Sequence, residues 1–451
     1  MQTTTLKRHI VQTVRLSLPL ILGQLMVVSM SVVDTMMSAG LGSVTLAAVG
    51  VGSSVWAMAI LFVFGILMAI PPVVSEMDGA NNQHKIAPFM RQVLWVALIL
   101  GILFTVILNM LTFLFDLFNT QAEVIPHAVG YVKAVSWGVL PLSFFIAFRY
   151  LADGVSVTIT TMYISAFGLA LNIPLNYILM YGKFGLPELG AVGCGYATAL
   201  VLFLQMIAYA IVVHRHKVMG PLKIFSQIDA PNWSEIKRFF ILGFPVGMSM
   251  FAEVGFFAAV TLLSSSLTTD VAAAHQIALN FSSLLFMIPL GLSMGITIRV
   301  GNAVGRRNPI DIRRAGLSGI AVVMVTQFFS AALVLAVPAL IVSFYYASPA
   351  VSAIATQLLL YAAIFQLSDG LQVAAAGALR GIKDMNYIMY STLFSFWPVG
   401  FFCSWYLCFE RNMGADGLWI GLIAGLSSAA VLNLLRFHFK TRYSSHQLQQ
   451  A

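Results

Sequence analysis

The chain has 451 residues, 59% of them apolar and only 9% charged, with a strongly positive mean hydropathy. That balance excludes a soluble globular enzyme and describes a polytopic membrane protein. At about 20–25 residues per span plus short loops, the length holds about a dozen helices. The formal net charge of +8 raises nucleic acid as a partner, but the placement of the basic residues gives it a different meaning.

Apolar runs bounded by charges and Gly/Pro/Asn clusters predict spans near 16–39, 46–70, 88–115, 126–150, 160–182 and 190–213. After a basic connector, a second set follows near 236–264, 271–298, 315–346, 352–377, 386–408 and 414–437. The basic start (Lys7, Arg8, Arg15) leads into the long apolar run Leu16–Val33 with no prompt small-x-small cleavage site, so the first span is expected to stay in the protein rather than leave as a signal peptide. Continuous runs of this length exclude the ~10-residue alternating strands of a membrane β-barrel. Of the 24 Lys and Arg, 21 fall at the termini and even-numbered connections, with Arg306, Arg307, Arg313 and Arg314 the densest cluster; only Lys133, Lys183 and Arg411 fall on the other side. Twelve spans with both termini cytoplasmic predict that asymmetry, so the basic excess is a topology signal and nucleic-acid binding loses its support. Cys194, Cys403 and Cys408 form no CxxC pair and read as small buried apolar residues.

The chain repeats itself. At a constant offset of 226, Pro19 matches Pro245, Ala48 matches Ala274, Gly65 matches Gly291, Met68 matches Met294, Gly79 matches Gly305 and Asn82 matches Asn308. The predicted fold class is therefore all-α, with twelve transmembrane helices in two six-helix bundles. Halves of six spans share one orientation, which calls for a pseudo-two-fold axis along the membrane normal. The predicted domains are an N-terminal lobe over 1–213, a cytoplasmic linker over 214–235 and a C-terminal lobe over 236–451.

Most acids have unremarkable places. Glu76, Asp78, Asp229, Glu235, Asp311 and Asp384 belong to cytoplasmic connections; Asp116, Glu123, Glu188, Asp270, Glu410 and Asp416 fall at outer ends, and Asp153 reads as a loop or helix-end charge. Asp34, Glu253 and Asp369 remain inside spans one, seven and ten, where a charge costs at least ~2.5–3.5 kcal/mol and is rarely idle. For each the bland alternative is a structural carboxylate: Asp34 beside Ser31 and Thr35, Asp369 at a helix broken by Gly370, and Glu253 with the fewest neighbours to help it. No Lys or Arg is expected mid-span near the three. If Glu253 and Asp369 face each other, like charges force one pKa up, so a proton or a hard cation such as Na⁺ is the expected partner. Such occupancy would link charge to helix packing, as ion-coupled transport requires. At the repeat offset Glu253 corresponds to Val27 and Asp34 to Val260, so the halves carry different chemistry. Gln276 and Asn280 lie one turn apart in span eight, as interhelical glue or substrate contacts. Asn172 and Asn176 straddle Pro174 and could supply oxygens near Asp34. Phe257, one turn from Glu253, is either a cation–π neighbour or a packed core ring.

These segments bring a family into view. LPLILGQL and VDTMMSAG in span one, LNIPLNYILMYGKFGLPELGAVGCGYAT across spans five and six, AAAHQIALNFSSLLFMIP in span eight, TIRVGNAVGRRN after it and LSDGLQVAAAGALRGIKD around Asp369 together resemble the NorM-type bacterial branch of the multidrug and toxic compound extrusion (MATE) transporters over essentially the whole chain. The resemblance implies two six-helix lobes flanking a V-shaped cavity and alternating access across the bacterial inner membrane. It also implies antiport of amphiphilic organic cations, dyes and drugs, hence antibiotic resistance, driven by Na⁺ or H⁺. It would place Glu253 and Asp369 at the cation site of the C-terminal lobe, as a Na⁺ site if Na⁺ is the coupling ion. Asp34 with Asn172 and Asn176 would form an N-lobe polar site, and Gln276 a drug contact. No cofactor beyond the coupling ion is expected, and the chain is expected to work as a monomer in the bilayer. Two departures stand out. Phe365 takes the place of a Tyr that some relatives carry before the span-ten acid, and the loop YYASPAVS lacks the acids that others place there.

A lipid-linked oligosaccharide flippase of the same superfamily is the first rival, but its pyrophosphate cargo calls for buried bases rather than acids. An intramembrane enzyme is the second: HExxH and GxSxG are absent, and His275 has no acid beside it.

Overall fold

The computed structural model describes residues 6–113, 115, 121–345 and 348–447, and among these every regular element is helical. The spans are α1 (Lys7–Ala39), α2 (Ser43–Gly79), α3 (Gln83–Phe113), α4 (Ile125–Ser136 and Val139–Gly154, bent by 45°), α5 (Ile159–Met180) and α6 (Gly190–Arg215). They continue as α7 (Trp233–Ser265), α8 (Thr269–Gly305), α9 (Pro309–Ala336), α10 (Pro349–Gly381), α11 (Met385–Glu410) and α12 (Gly414–Arg442). Twelve spans result when the bent pair counts as one, as the apolar runs predict. Asp116 and the Tyr346–Ala347 part of the loop before α10 lie outside the described residues.

Two compact units make up the chain: Leu22–Gly247, and Met248–Ala451 together with Met1–Ile21. The linker-based division at 213 and 236 is thus not where the contacts divide. The unit boundaries fall inside α1 and α7, each two residues after a proline, Pro19 or Pro245. Proline removes a backbone hydrogen bond one turn back, which a helix surrounded by other helices tolerates. In the unit that contains the C-terminal half, the first turns of α1 are held by Arg299 of α8, whose Nη1 donates to the His9 carbonyl at 2.6 Å and to the Thr13 hydroxyl. In the other unit the start of α7 lies against α2, where Gly65 sits on the Gly247 backbone.

The unit of Leu22–Gly247 packs α6 against both parts of α4 and against α5, with α2 and α3 completing it. A Cβ on Gly193 would sit 2.4 Å from the Leu179 carbonyl oxygen, so the α5–α6 contact requires glycine there. In the other unit α10 is the hub, packing on α8, α9 and α12. Its sequence Gln372–Gly381, QVAAAGALRG, is small-residue rich, and a Cβ on Gly377 would meet the Ser293 Oγ at 2.4 Å and its carbonyl at 2.7 Å. Without a hydrophobic drive inside lipid, this close approach is what lets helices associate and hydrogen-bond: Ser293 Oγ donates to the Val373 carbonyl at 2.7 Å, and Thr297 Oγ1 to that of Gly377 at 2.8 Å.

The connector 214–235 is docked on α3. Arg91 Nε reaches Asp229 at 2.5 Å, Trp95 Nε1 donates to the Asp229 carbonyl at 2.9 Å, and the Asn232 amide donates to Gln92 at 2.8 Å.

Candidate functional site

The hub helix α10 carries Asp369 into the interior of its unit, 5% exposed, and α7 brings Glu253 within electrostatic reach of it. Asp369 Oδ1 is buried and finds no hydrogen-bond donor among the described residues. One turn along α10, the amide oxygen of Gln372 is buried without a donor as well. The neighbouring Gln366 is fully engaged on its oxygens, accepting from Gln327 Nε2 at its carbonyl (2.9 Å) and from Ser330 Oγ at its side chain (2.5 Å). An undonated carboxylate oxygen, an undonated amide oxygen one turn away and a second carboxylate in electrostatic reach are the chemistry that suits a proton or a hard cation.

Beside the acids is an aromatic layer. Phe257 of α7 lies edge-on to Phe365 of α10 at 5.9 Å, and Phe365 lies edge-on to Trp419 of α12 at 5.6 Å. His275 stands at 5.9 Å from Trp419, with Nε2 3.2 Å from Thr261 Oγ1. Phe257 is therefore a packed ring in the aromatic cluster beside Glu253, and Phe365 fills the place between Phe257 and Trp419 with hydrocarbon.

Arg380 changes the expected electrostatics. The sequence pattern ends span ten at 377 and counts this guanidinium among the connections. α10 instead continues to Gly381 and buries Arg380, 7% exposed, within electrostatic reach of Glu253. Its Nη2 also donates to Ser293 Oγ at 2.6 Å. The expectation that no base lies near the three acids thus fails for Glu253, because the helix outlasts its apolar run. Arg299 is likewise buried in α8, and Arg149 in α4, so three of the 21 bases assigned to termini and connections are interior.

The unit of Leu22–Gly247 holds the second polar site. Asp34 Oδ1 accepts from Asn172 Nδ2 at 3.0 Å and from Asn176 Nδ2 at 2.5 Å. The asparagines are four residues apart, so they share one face of α5 on either side of Pro174. Among the described residues their own amide oxygens find no donor, and the buried hydroxyl of Thr198 on α6 finds no partner. Thr198 was not singled out by the sequence; its only signal is that it follows by one turn Cys194, which lies in electrostatic reach of Asp34.

Of the two places expected for Asp153, loop or helix end, it takes the helix end, one residue before the end of α4 at Gly154, but it is buried there, 2% exposed, with Oδ1 accepting from Thr161 Oγ1 at 2.7 Å. Thr161 is also 2.8 Å from Tyr209, and Arg149 Nε lies 3.9 Å from Asp153 with Nη2 donating to Gln24 at 3.2 Å. The i,i+4 spacing of Arg149 and Asp153 was the available clue, hidden because the apolar run stops at 150. Gln276 and Asn280 lie on the exposed face of α8. The three cysteines form no disulfide.

Comparison with known proteins agrees with this architecture. The MatE family profile matches residues 19–178 and again 245–406, its two starts falling on the repeat-related Pro19 and Pro245. The chain is 40% identical over 427 residues to the "Probable multidrug resistance protein NorM" of Xanthomonas campestris pv. campestris, covering 95% of this chain and 93% of that protein. It is 38% identical over 443 residues to the multidrug resistance protein NorM of Vibrio cholerae serotype O1, covering 97% of each. Among solved structures, a MATE protein in the bent conformation superposes with a TM-score of 0.89 at 19% identity, covering 99% of both chains. A twelve-helix, twice-repeated chain that the profile matches in both halves belongs to the MatE family, whose members are transporters rather than enzymes.

Proposed function

We propose that this chain is a cation-coupled antiporter that exports amphiphilic, mostly cationic drugs and dyes across the bacterial inner membrane by alternating access, working as a monomer with both termini in the cytoplasm. The relatives named as multidrug resistance proteins support the cargo class. The observation that carries the coupling is Asp369 Oδ1, buried and without a donor, in electrostatic reach of Glu253. Leaving a buried acceptor unpaired costs about 1–3 kcal/mol, which an entering H⁺ or Na⁺ recovers. A cation that binds only one packing of α7 against α10 shifts the population toward that packing, and the drug sites respond by linkage.

Reconstituted vesicles loaded with a fluorescent cationic dye test this, with a sodium gradient and a proton gradient imposed separately. Efflux is expected to follow one or both. Efflux indifferent to either gradient, or unchanged in Glu253→Gln, overturns the antiport reading.

A further inference from the structure

We infer that the groove between α4 and the last turns of α6 is a binding site for one anionic phospholipid of the surrounding bilayer. The groove is an open surface depression of about 770 Å³, lined by Phe148 of α4, by Met206, Ala210 and Ile211 of α6, and by Phe225 of the connector. His214 and Arg215 line its end, and no acidic side chain does. Ala210 is what opens it: a methyl group stands between larger neighbours on the helix face, while Phe225, edge-on to Phe148 at 5.6 Å, closes one wall.

Three features select the occupant. The first is length. Met206 to Arg215 is nine helical steps, a rise of ~13.5 Å at 1.5 Å per residue, or about half of the ~30 Å hydrocarbon core. That is the depth of one leaflet, and so the reach of one acyl chain. The second is charge. Arg215 and His214 are exposed where the apolar lining ends, and the exposed Lys217 and Lys223 follow in the connector; a phosphate at that level meets cations and no anion. The third is continuity. A second groove of about 660 Å³ shares Phe144 and Met206 with the first and continues along α4 and α6 toward the exposed Tyr196 and Trp137. From Tyr196 to Arg215 α6 rises ~28.5 Å at 1.5 Å per residue, close to the ~30 Å hydrocarbon core, so the two grooves together span the bilayer and the basic one belongs to a single leaflet. A second copy of the chain fits less well. The membrane orients both copies alike, and a two-fold contact through this face would set Arg215 against Arg215 at one depth.

The full-length protein in vesicles of unlabelled phosphatidylethanolamine provides the test. A trace of phosphatidylglycerol carrying an acyl-chain diazirine is added, or, in the matching arm, phosphatidylethanolamine with the same label, and the cross-linked peptides are mapped by mass spectrometry. The phosphatidylglycerol label is expected on segment 203–225, well above the phosphatidylethanolamine label. Arg215→Ala should lower it about fivefold, the size of one basic contact at a membrane surface. Ala210→Phe, which fills the groove without touching the basic end, should remove it, and Lys237→Ala, exposed but outside the groove, should leave it intact. Equal labelling by the two lipids, or labelling that survives Ala210→Phe, overturns the site. Disulfide pairing of Ile211→Cys between copies, with no lipid label on the segment, overturns it in favour of a dimer face.

Discussion

Two of the interior acid sites, those of Asp34 and Asp369, differ in one respect that governs the rest. Asp34 has its Oδ1 held by two asparagine amides, whereas the Oδ1 of Asp369 has no donor, and a second carboxylate, Glu253, is in electrostatic reach. One carboxylate is positioned by neutral donors; the other has an undonated oxygen and a second carboxylate in reach, itself within reach of Arg380. The repeat explains why they need not match, since the residues corresponding to Glu253 and Asp34 in the opposite halves are Val27 and Val260. A duplicated shape leaves each half free to hold its own chemistry. A site already supplied with donors has less to gain from a cation than one that lacks them, and on that basis the Glu253–Asp369 site is the stronger candidate for the coupling step.

The largest effect that can break this comparison is expected at the acceptor-rich site. Glu253→Gln or Asp369→Asn should reduce gradient-driven dye efflux to the level of protein-free vesicles while leaving expression intact; if Asp34→Asn is the more damaging change, the ranking of the two sites is reversed. Next comes Arg380→Leu. It removes a buried cation from within electrostatic reach of Glu253 and a charged donor from Ser293, and a lost hydrogen bond to a charged group costs about 1.5–3 kcal/mol. A marked fall in the thermal unfolding midpoint of the purified protein is the expected readout, largely restored when Glu253→Gln is added. Asp34→Asn follows: its amide oxygen still accepts from Asn172 and Asn176, but the bonds fall from the ~1.5–3 kcal/mol of a charged acceptor to the ~0.5–1.5 kcal/mol of a neutral one. It should lower the unfolding midpoint by less than Arg380→Leu and leave a measurable fraction of efflux. The smallest effect is expected from Phe365→Tyr. The ring keeps its edge contacts with Phe257 and Trp419 and adds one hydroxyl beside Asp369, so a change of a few-fold in the cation concentration for half-maximal efflux is expected, with little change in the maximal rate.

Much of this was legible in one dimension. Span count, the 226-residue repeat and the mid-span acids Asp34, Glu253 and Asp369 are properties of apolar run length and residue spacing, whereas the burial of Asp153 was not; the repeat reappears in the helices, in the twin proline-bearing α1 and α7, and in the two profile matches. The pairing of Asp34 with Asn172 and Asn176 was also within reach, because residues four apart on a helix share a face. The buried bases were not. Arg149, Arg299 and Arg380 lie where the apolar runs stop but the helices do not, and hydropathy registers only what lipid would accept at each position. Whether a guanidinium ends in water or inside a bundle depends on what the neighbouring helices bring to it, such as Ser293 for Arg380, His9 and Thr13 for Arg299, and Gln24 for Arg149. The same holds for the unit boundaries. The connector is the obvious break along the chain, yet helix packing assigns the first turns of α1 to the unit of the C-terminal half and those of α7 to the unit of the N-terminal half. Local composition can specify a helix and its apolar face, but partners more than two hundred residues away are chosen by close packing, which is a property of three dimensions.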